Sequence, residues 1–291
     1  MARGSKLARL GALGLLGMLA LSGCSTPNNL FWRFGWPAGI TDQSQEMRVL
    51  WTWSCIAALI VGILVWGLIG WAVVRYRKRG DELPRQTAYN LPLEIVYTII
   101  PFLIIAVLFF FTVVTQDKVK AVSAHPDETV AVKAFKWNWQ FTYPGKMDST
   151  GQPVTTVGTS TEIPILVLPT DRNIKFELVS ADVIHSFWVP EFLFKLDVIP
   201  GEENGRNNVF QVTVRQKGAF VGRCAELCGT YHAFMDFEVR SVSPEDFNSY
   251  IQARESGLST SAALEKIGQP GTAVTTAPLK LPQTARVQNG G

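Results

Sequence analysis

Two thiols, an imidazole and a thioether lie within twelve residues near the end of the chain: Cys224, Cys228, His232 and Met235. These soft, polarisable donors suit copper better than calcium or magnesium. Zinc is the first competitor, but zinc sites usually use four Cys or His ligands, and Met is not a usual one. A disulfide between Cys224 and Cys228 is the alternative without a metal, and it explains neither the histidine nor the methionine. The spacing C-x3-C-x3-H-x2-M therefore predicts a copper site.

This motif, with a further histidine in the run Asp182–Ser186, resembles the binuclear copper A (CuA) site of subunit II of the haem–copper cytochrome c oxidases. The resemblance implies six metal ligands: His185, Cys224, the backbone carbonyl of Glu226, Cys228, His232 and Met235. The two cysteine sulfurs would bridge two copper ions, each histidine would bind one ion, and the two weak donors would complete the coordination. In the family, the carboxylate corresponding to that of Glu226 binds a magnesium ion at the contact with subunit I.

The cysteines outside the motif have separate assignments, which argues against a disulfide framework. Cys55 lies inside a long apolar run and is interpreted as a small buried apolar side chain. Cys24 follows Leu-Ser-Gly after a basic start and a short apolar stretch, an arrangement typical of a signal peptide. This segment resembles a bacterial lipobox, which implies a signal peptide over residues 1–23 and a lipid on Cys24. An ordinary signal peptide and an uncleaved anchor are the alternatives.

Two further apolar stretches predict a transmembrane hairpin over residues 49–115, preceded by an exported segment over residues 24–48. Val49–Val74 contains no charged residue and, as a helix, would be about 39 Å long, enough to cross a bilayer. Ile95–Val114 is also uncharged and just long enough. The basic run Arg75–Arg79 between them favours the cytoplasmic side. The sequence therefore predicts a bacterial cell-membrane protein whose C-terminal domain lies outside the cytoplasm.

One acidic residue, Glu94, lies where the second span begins. It is either a solvated residue favoured by the helix dipole or a proton-handling group. Its surroundings resemble the family segment at the mouth of the K proton channel, and this resemblance favours proton uptake. Neither span contains a histidine that could bind haem iron, so a haem that accepts electrons must belong to another polypeptide.

After the second span the pattern changes to short apolar runs separated by Gly, Pro, Asp and Asn, which indicates an all-β sandwich or barrel. The runs are Thr129–Tyr143, Ile163–Pro169, Ile174–Val179, Val209–Val214, Ala219–Arg223 and Asp236–Val242. Pro244–Glu255 predicts a closing helix with Ser243 as its N-cap. Residues 256–291 contain few aromatics and are predicted to be a flexible tail. The fold class is thus α+β: a two-helix transmembrane hairpin and then, as the family implies, a cupredoxin (Greek-key) domain over residues 116–255.

Trp137 and Trp139 alternate with Asn138, so on a strand both indoles would face the same side. Trp139 is open to two interpretations, a core residue or part of the site. Trp137 matches the aromatic residue of the family at which electrons arrive from cytochrome c. The family has an aromatic where Asn138 stands, so the docking surface is expected to suit a different donor.

The leading interpretation is the electron-input subunit of a respiratory oxidase, which works with oxidase subunits I and III in the membrane lipid. The donor would be cytochrome c or a membrane-bound cytochrome c. One rival is a quinol oxidase subunit, which is expected to lack the copper ligands. The other is an assembly or copper-delivery lipoprotein, which would not need Trp137 and Glu94 as well. The small net charge of +3 and the absence of a basic stripe exclude nucleic acid as a partner.

Overall fold

The computed structural model describes residues 33–81, 83, 86–201 and 208–278. Within them, two long helices precede a β domain: α1 (Asp42–Arg75) and α2 (Leu91–Lys120). Both are long and apolar enough to cross a membrane, and none of the side chains in their apolar segments is buried inside the protein. Residues 1–32, with the predicted signal peptide and Cys24, lie outside the described residues.

Both helices extend beyond the predicted spans. Thr41 caps α1, because its hydroxyl accepts a hydrogen bond from the Ser44 backbone at 3.0 Å and the Ser44 hydroxyl binds the Thr41 N–H in return. The helix α2 continues through Pro101 and ends only at Lys120. The helices therefore extend past the predicted domain boundaries at residues 48 and 115, because a helix can continue into water after its apolar segment ends.

The β domain is a sandwich of two five-stranded sheets, with strand orders β3-β2-β1-β5-β8 and β4-β10-β9-β6-β7. Its strands are β1 (Glu128–Phe135), β2 (Asn138–Met147), β3 (Pro153–Val157), β4 (Ile165–Pro169), β5 (Asn173–Ser180), β6 (His185–Val189), β7 (Phe194–Val198), β8 (Val209–Thr213), β9 (Gly218–Cys224) and β10 (Asp236–Val242). Two apolar helices followed by this sandwich confirm the predicted fold class.

Aromatic side chains fill the space between the sheets. Burial alternates along β5, so that Ile174, Phe176 and Leu178 point inwards. Phe176 stacks on Phe210 with ring centroids 4.6 Å apart, and Phe187 of the second sheet contacts both rings. This close packing gives the strands that carry the cysteine and histidine side chains a rigid support.

The sequence pattern did not predict all of the strands correctly. The run Thr129–Tyr143 is two strands, joined by a turn at residues 136–137. Three short strands, β3, β6 and β7, were not predicted at all. Each has only five residues and pairs with partners whose choice depends on the fold, so local periodicity is a weak signal for them.

The start of α1 is built into the sandwich. The Ile40 N–H donates to the carbonyl of Glu191, and the Ile40 carbonyl accepts from the backbone N–H of Arg215 at 2.7 Å. The Arg215 guanidinium holds Asp42 with two hydrogen bonds, of 2.9 and 2.7 Å, and Asp171 with a third. The first helix therefore continues from a chain segment that the β domain already holds.

The predicted flexible tail is wrong for residues 256–278. After α3 (Pro244–Glu255), which begins and ends at the predicted residues, comes a further helix, α4 (Thr260–Lys266). Ala263 and Leu264 of α4 are fully buried. The tail lacks the apolar surface to fold alone, but it packs on a surface that the sandwich has already formed. Residues 279–291 lie outside the described part of the chain.

Candidate metal centre

The pairing of β6 with β9 brings two distant parts of the chain together at one end of the sandwich. His185 is the first residue of β6 and Cys224 the last of β9, and Phe187 lies opposite Cys224 in the antiparallel register. His185 is therefore positioned by the end of a strand. A backbone hydrogen bond of 3.1 Å from Cys224 to the carbonyl of Met235 closes the loop between β9 and β10. All the motif residues after Cys224 project from this closed loop.

The six predicted ligands meet in one cluster. The Sγ atoms of Cys224 and Cys228 lie 3.9 Å apart. Near Cys224 Sγ are the Nδ1 atom of His185 at 3.9 Å and the carbonyl oxygen of Glu226 at 3.3 Å. Near Cys228 Sγ are His232 Nδ1 at 3.6 Å and Met235 Sδ at 3.8 Å. The cluster thus offers two thiols, two imidazoles and two weak donors.

This donor set fits copper. Both cysteines are free thiols, so the alternative disulfide is not formed. The ligand atoms of His185, Cys224 and Cys228 all lie within 4.8 Å of one another, and these three residues are buried. Each thiol has one imidazole nitrogen and one weak donor beside it. Soft sulfur and imidazole ligands match copper.

Asp182 orients one of the imidazoles. Its carboxylate lies 2.8 Å from Nε2 of His185, which leaves Nδ1 facing the thiols. The same carboxylate accepts hydrogen bonds from the backbone N–H groups of Lys136 and Val183, both at 2.7 Å. Although burial opposes ionisation, the hydrogen bonds to His185 and the backbone lower the pKa of Asp182. Sequence reasoning missed this role, and the only available signal was an aspartate three residues before the metal-site histidine.

The two thiols differ in acidity. Burial raises the pKa of Cys224, but hydrogen bonds with His185 and with backbone groups outweigh burial and lower it to about 7. Burial and the neighbouring Cys224 thiolate raise the pKa of Cys228 to about 12. Metals bind the thiolate form of cysteine, and Cys224 is the thiol of the pair that loses its proton at the lower pH.

Trp137 lies in the turn between β1 and β2, and only Trp139 belongs to a strand, so the expectation that both indoles share one strand face is wrong. Trp139 is fully buried, and its indole N–H donates to the carbonyl of Met235 at 3.1 Å. Trp137 is half-buried and donates to the carbonyl of Cys228 at 3.2 Å. Gly229 (φ +122°) allows this approach, because a Cβ there would lie 3.2 Å from the Trp137 ring. Both tryptophans therefore contact the metal loop.

Glu94 is not part of this cluster. It lies in the first turn of α2, where its carboxylate accepts a 2.9 Å hydrogen bond from the backbone N–H of Asn90. About 26 residues of helix, or roughly 39 Å, separate Glu94 from Lys120 at the other end of α2. The carboxylate of Glu226 is half-exposed, and among the described residues it forms no group of metal ligands with other side chains. A magnesium ion at Glu226 would therefore need its other ligands from water or from another chain.

Comparisons with known proteins found a family and individual relatives that this chain resembles. Residues 129–242 match the family described as "Cytochrome C oxidase subunit II, periplasmic domain", and residues 29–114 match its transmembrane domain. A probable cytochrome c oxidase subunit 2 of Nocardia farcinica is 48% identical, and the match covers 92% of this chain and 86% of the Nocardia chain. The subunit of Corynebacterium glutamicum is 43% identical, over 96% and 94% of the two chains. A similar solved structure is the crystal structure of the periplasmic domain of subunit II (CoxB) of Bradyrhizobium japonicum, which is 28% identical in sequence. The match covers 46% of this chain and 97% of the CoxB chain, with a TM-score of 0.39.

Proposed function

Because this chain belongs to the cytochrome c oxidase subunit II family, and so to an oxidoreductase, we propose that it is the electron-input subunit of a respiratory oxidase. The observation that carries the proposal is the cluster of two free thiols, two imidazoles and two weak donors at the end of the sandwich. In this proposal His185, Cys224, Cys228 and His232, with Met235 and the Glu226 carbonyl, hold two copper ions. When bound, the copper pair accepts and releases one electron at a time.

The residues of the chain would prepare this site in three ways. Asp182 holds His185 with Nδ1 turned towards the thiols. The lowered pKa of Cys224 provides one thiolate near neutral pH. The packed sheets behind β6 and β9 restrict movement of the ligands, so little rearrangement accompanies a change in oxidation state.

Trp137 is the proposed place where an electron arrives, because its indole is partly exposed and is hydrogen-bonded to the carbonyl of Cys228. One electron leaves the donor, cytochrome c or a membrane-bound cytochrome c, and is taken up at the metal centre. From there it passes to haem in subunit I, where oxygen is reduced to water and protons are pumped. Glu94, at the other end of α2, is proposed to take up protons for subunit I.

The proposed location is a bacterial cell membrane, with the metal centre outside the cytoplasm and with Cys24 carrying a lipid. The basic residues Arg75–Arg79 at the end of α1 support this orientation. Subunits I and III would contact the exposed apolar faces of the two helices. A magnesium ion shared by the Glu226 carboxylate and subunit I belongs to the same proposal.

The test is metal analysis of the purified chain together with its visible absorption spectrum. We expect two copper ions per chain and the spectrum of a mixed-valence binuclear centre. Replacing both Cys224 and Cys228 with serine should remove the copper and the spectrum, whereas Cys55→Ser, on α1, should leave both unchanged. One copper per chain, or a spectrum that survives the double replacement, contradicts the proposed centre.

A further inference from the structure

The last described segment of the chain, residues 270–278, runs back over the second sheet, and we name it the C-terminal strap. Two buried side chains of β10 hold it. Glu238 accepts hydrogen bonds from the backbone N–H groups of Val274 and Thr275, at 2.6 and 2.8 Å, and from the Thr275 hydroxyl at 2.9 Å. Arg240 donates to the carbonyls of Pro270 and Thr272, at 3.1 and 3.4 Å. The strap therefore has a defined path on the sheet.

The charges of β10 explain why the strap is held. Glu238 and Arg240 are bonded to each other, and they are 0% and 2% exposed. A buried ion pair costs free energy unless its remaining donors and acceptors are also satisfied. The backbone of the strap supplies those partners. If the strap detached from the sheet, both charged side chains would lose hydrogen-bond partners or become exposed to water.

The strap then continues to the metal loop. The Thr276 hydroxyl donates to the carboxylate of Asp236 at 3.1 Å, and Asp236 directly follows Met235. Two residues later, Pro278 lines a surface depression of about 370 Å³. The same depression is lined by Trp137, Tyr231 and Phe234. Trp137 and Tyr231 contact edge to face, with ring centroids 5.0 Å apart.

We propose that the C-terminal strap forms part of the surface that the electron donor contacts, because Pro278 forms one wall of the depression beside Trp137. The occupant is a protruding apolar segment of the donor protein. The apolar part of its lining consists of four aromatic rings, Ile163 and Pro278, while Lys136, Asn138, Thr159, Ser160 and Asp236 form the polar part. Its volume suits one or two side chains. A donor side chain that enters this depression to reach Trp137 would also meet Pro278, because both residues line it. The inference rests on the proposed function, since it assumes that electrons arrive at Trp137.

Two shortened chains that differ only by Ala277 and Pro278 test the proposal. One ends after Pro278 and the other after Thr276, and both keep every strap hydrogen bond to Glu238, Arg240 and Asp236. Each is expressed as the only copy, in a strain whose only terminal oxidase contains this chain. The measurement is the rate at which the c-type haem of anaerobic membranes is oxidised after an oxygen pulse, because this uses the native donor. Reduction of the purified oxidase by hexaammineruthenium(II), which needs no docking surface, is the control.

We expect the chain ending after Pro278 to match wild type and the chain ending after Thr276 to be slower by about fivefold, the effect of one interface residue. Pro278→Asp in the full chain should slow the reaction similarly. The copper spectrum and the rate with hexaammineruthenium(II) should not change. The inference is overturned if both shortened chains oxidise the c-type haem at the wild-type rate, or if both are slowed by the same factor. A wild-type complex without the binuclear copper spectrum contradicts the proposed function instead.

Discussion

At the scale of single residues, Asp182 connects the metal centre to the surface where electrons are proposed to arrive. Its carboxylate binds Nε2 of His185 and also the backbone N–H of Lys136, the residue before Trp137. One side chain thus holds both a proposed ligand and the turn that carries the proposed electron acceptor. A carboxylate behind a metal-binding histidine fixes the ring and strengthens its donor nitrogen.

Replacing Asp182 with asparagine should weaken copper binding by about 10- to 100-fold, the usual cost of losing such a carboxylate. The amide preserves the shape of the side chain but not its charge. Copper affinity is measured by competition with a chelator. Asp197→Asn, on the exposed edge of β7, is the matched control and should bind copper like wild type. Equal affinities in the two variants would show that Asp182 has only a structural role.

Replacing Trp137 with alanine should slow electron arrival from the donor by about tenfold, because the indole contacts both the metal loop and the depression. It supplies no ligand atom, so the copper spectrum should stay nearly unchanged. Stopped-flow reduction and the visible spectrum of the purified oxidase separate the two effects. Met147→Ala, at the exposed end of β2, is the control. Loss of the spectrum together with the rate would make Trp137 a supporting residue of the site.

Glu94→Gln separates the two interpretations of Glu94. Glutamine can still accept the hydrogen bond from the Asn90 N–H, but it cannot carry a proton at neutral pH. If Glu94 takes up protons, oxidase turnover should fall several-fold while electron transfer from the donor to copper remains fast. Oxygen uptake and stopped-flow reduction are measured on the same preparation. Turnover and pH dependence equal to wild type would leave Glu94 as a residue that only caps α2.

At the scale of elements, the second sheet organises both the metal centre and the strap. The strand β9 ends at Cys224, its neighbour β6 begins at His185, and its other neighbour β10 begins directly after Met235. Three adjacent strand ends therefore supply or border the whole cluster. The strand β10 also carries Glu238 and Arg240, so the same element that borders the metal loop holds the strap.

Glu238→Gln should destabilise the protein by about 3 kcal/mol or more, because it leaves the buried Arg240 without its charge partner. The strap should also become sensitive to protease, since the carboxylate accepts three of its hydrogen bonds. Thermal unfolding of the purified chain and limited proteolysis are the measurements. Glu162→Gln, in an exposed loop, is the control. A stability equal to that of this control would mean that the ion pair does not hold the strap.

At the scale of the whole molecule, the β domain is tied to the membrane hairpin through the start of α1. Ile40 and Thr41 are buried against the sandwich, and Arg215 binds Asp42. A second contact joins β8 to α1, because the Thr213 N–H donates to the side-chain carbonyl of Gln43 at 3.2 Å. The ion pair of Lys118 and Glu46, at 2.9 Å, joins the two helices to each other. These contacts limit how far the metal centre can move relative to the membrane surface.

The proposed orientation predicts the activity of reporter fusions. Alkaline phosphatase needs disulfides that form outside the cytoplasm, so a fusion after Pro278 should be active and a fusion at Gln86, between the helices, inactive. Fusions of β-galactosidase, which is active in the cytoplasm, should show the reverse. Phosphatase activity at Gln86 would place the turn between the helices outside and contradict the orientation.

The sequence by itself determined the features that depend on neighbouring residues. Apolar length indicated two spanning helices, Ser243 and Pro244 indicated the start of α3, and the spacing from Cys224 to Met235 indicated a cluster of soft ligands. Together with the family resemblance, these predicted the fold class that the structure confirms. Each of these signals is local, because helix periodicity, caps and ligand spacing act over a few residues.

Only the tertiary structure decided the features that depend on distant pairing. The approach of His185 to Cys224 follows from the register of β6 with β9, and the contact of Asp182 with Lys136 joins residues 46 positions apart. Residues 256–291 were predicted to be flexible from their composition, yet buried charges on β10 hold residues 270–275 in place. Such contacts have no local periodicity in the sequence, because they depend on which surfaces face each other after the chain has folded.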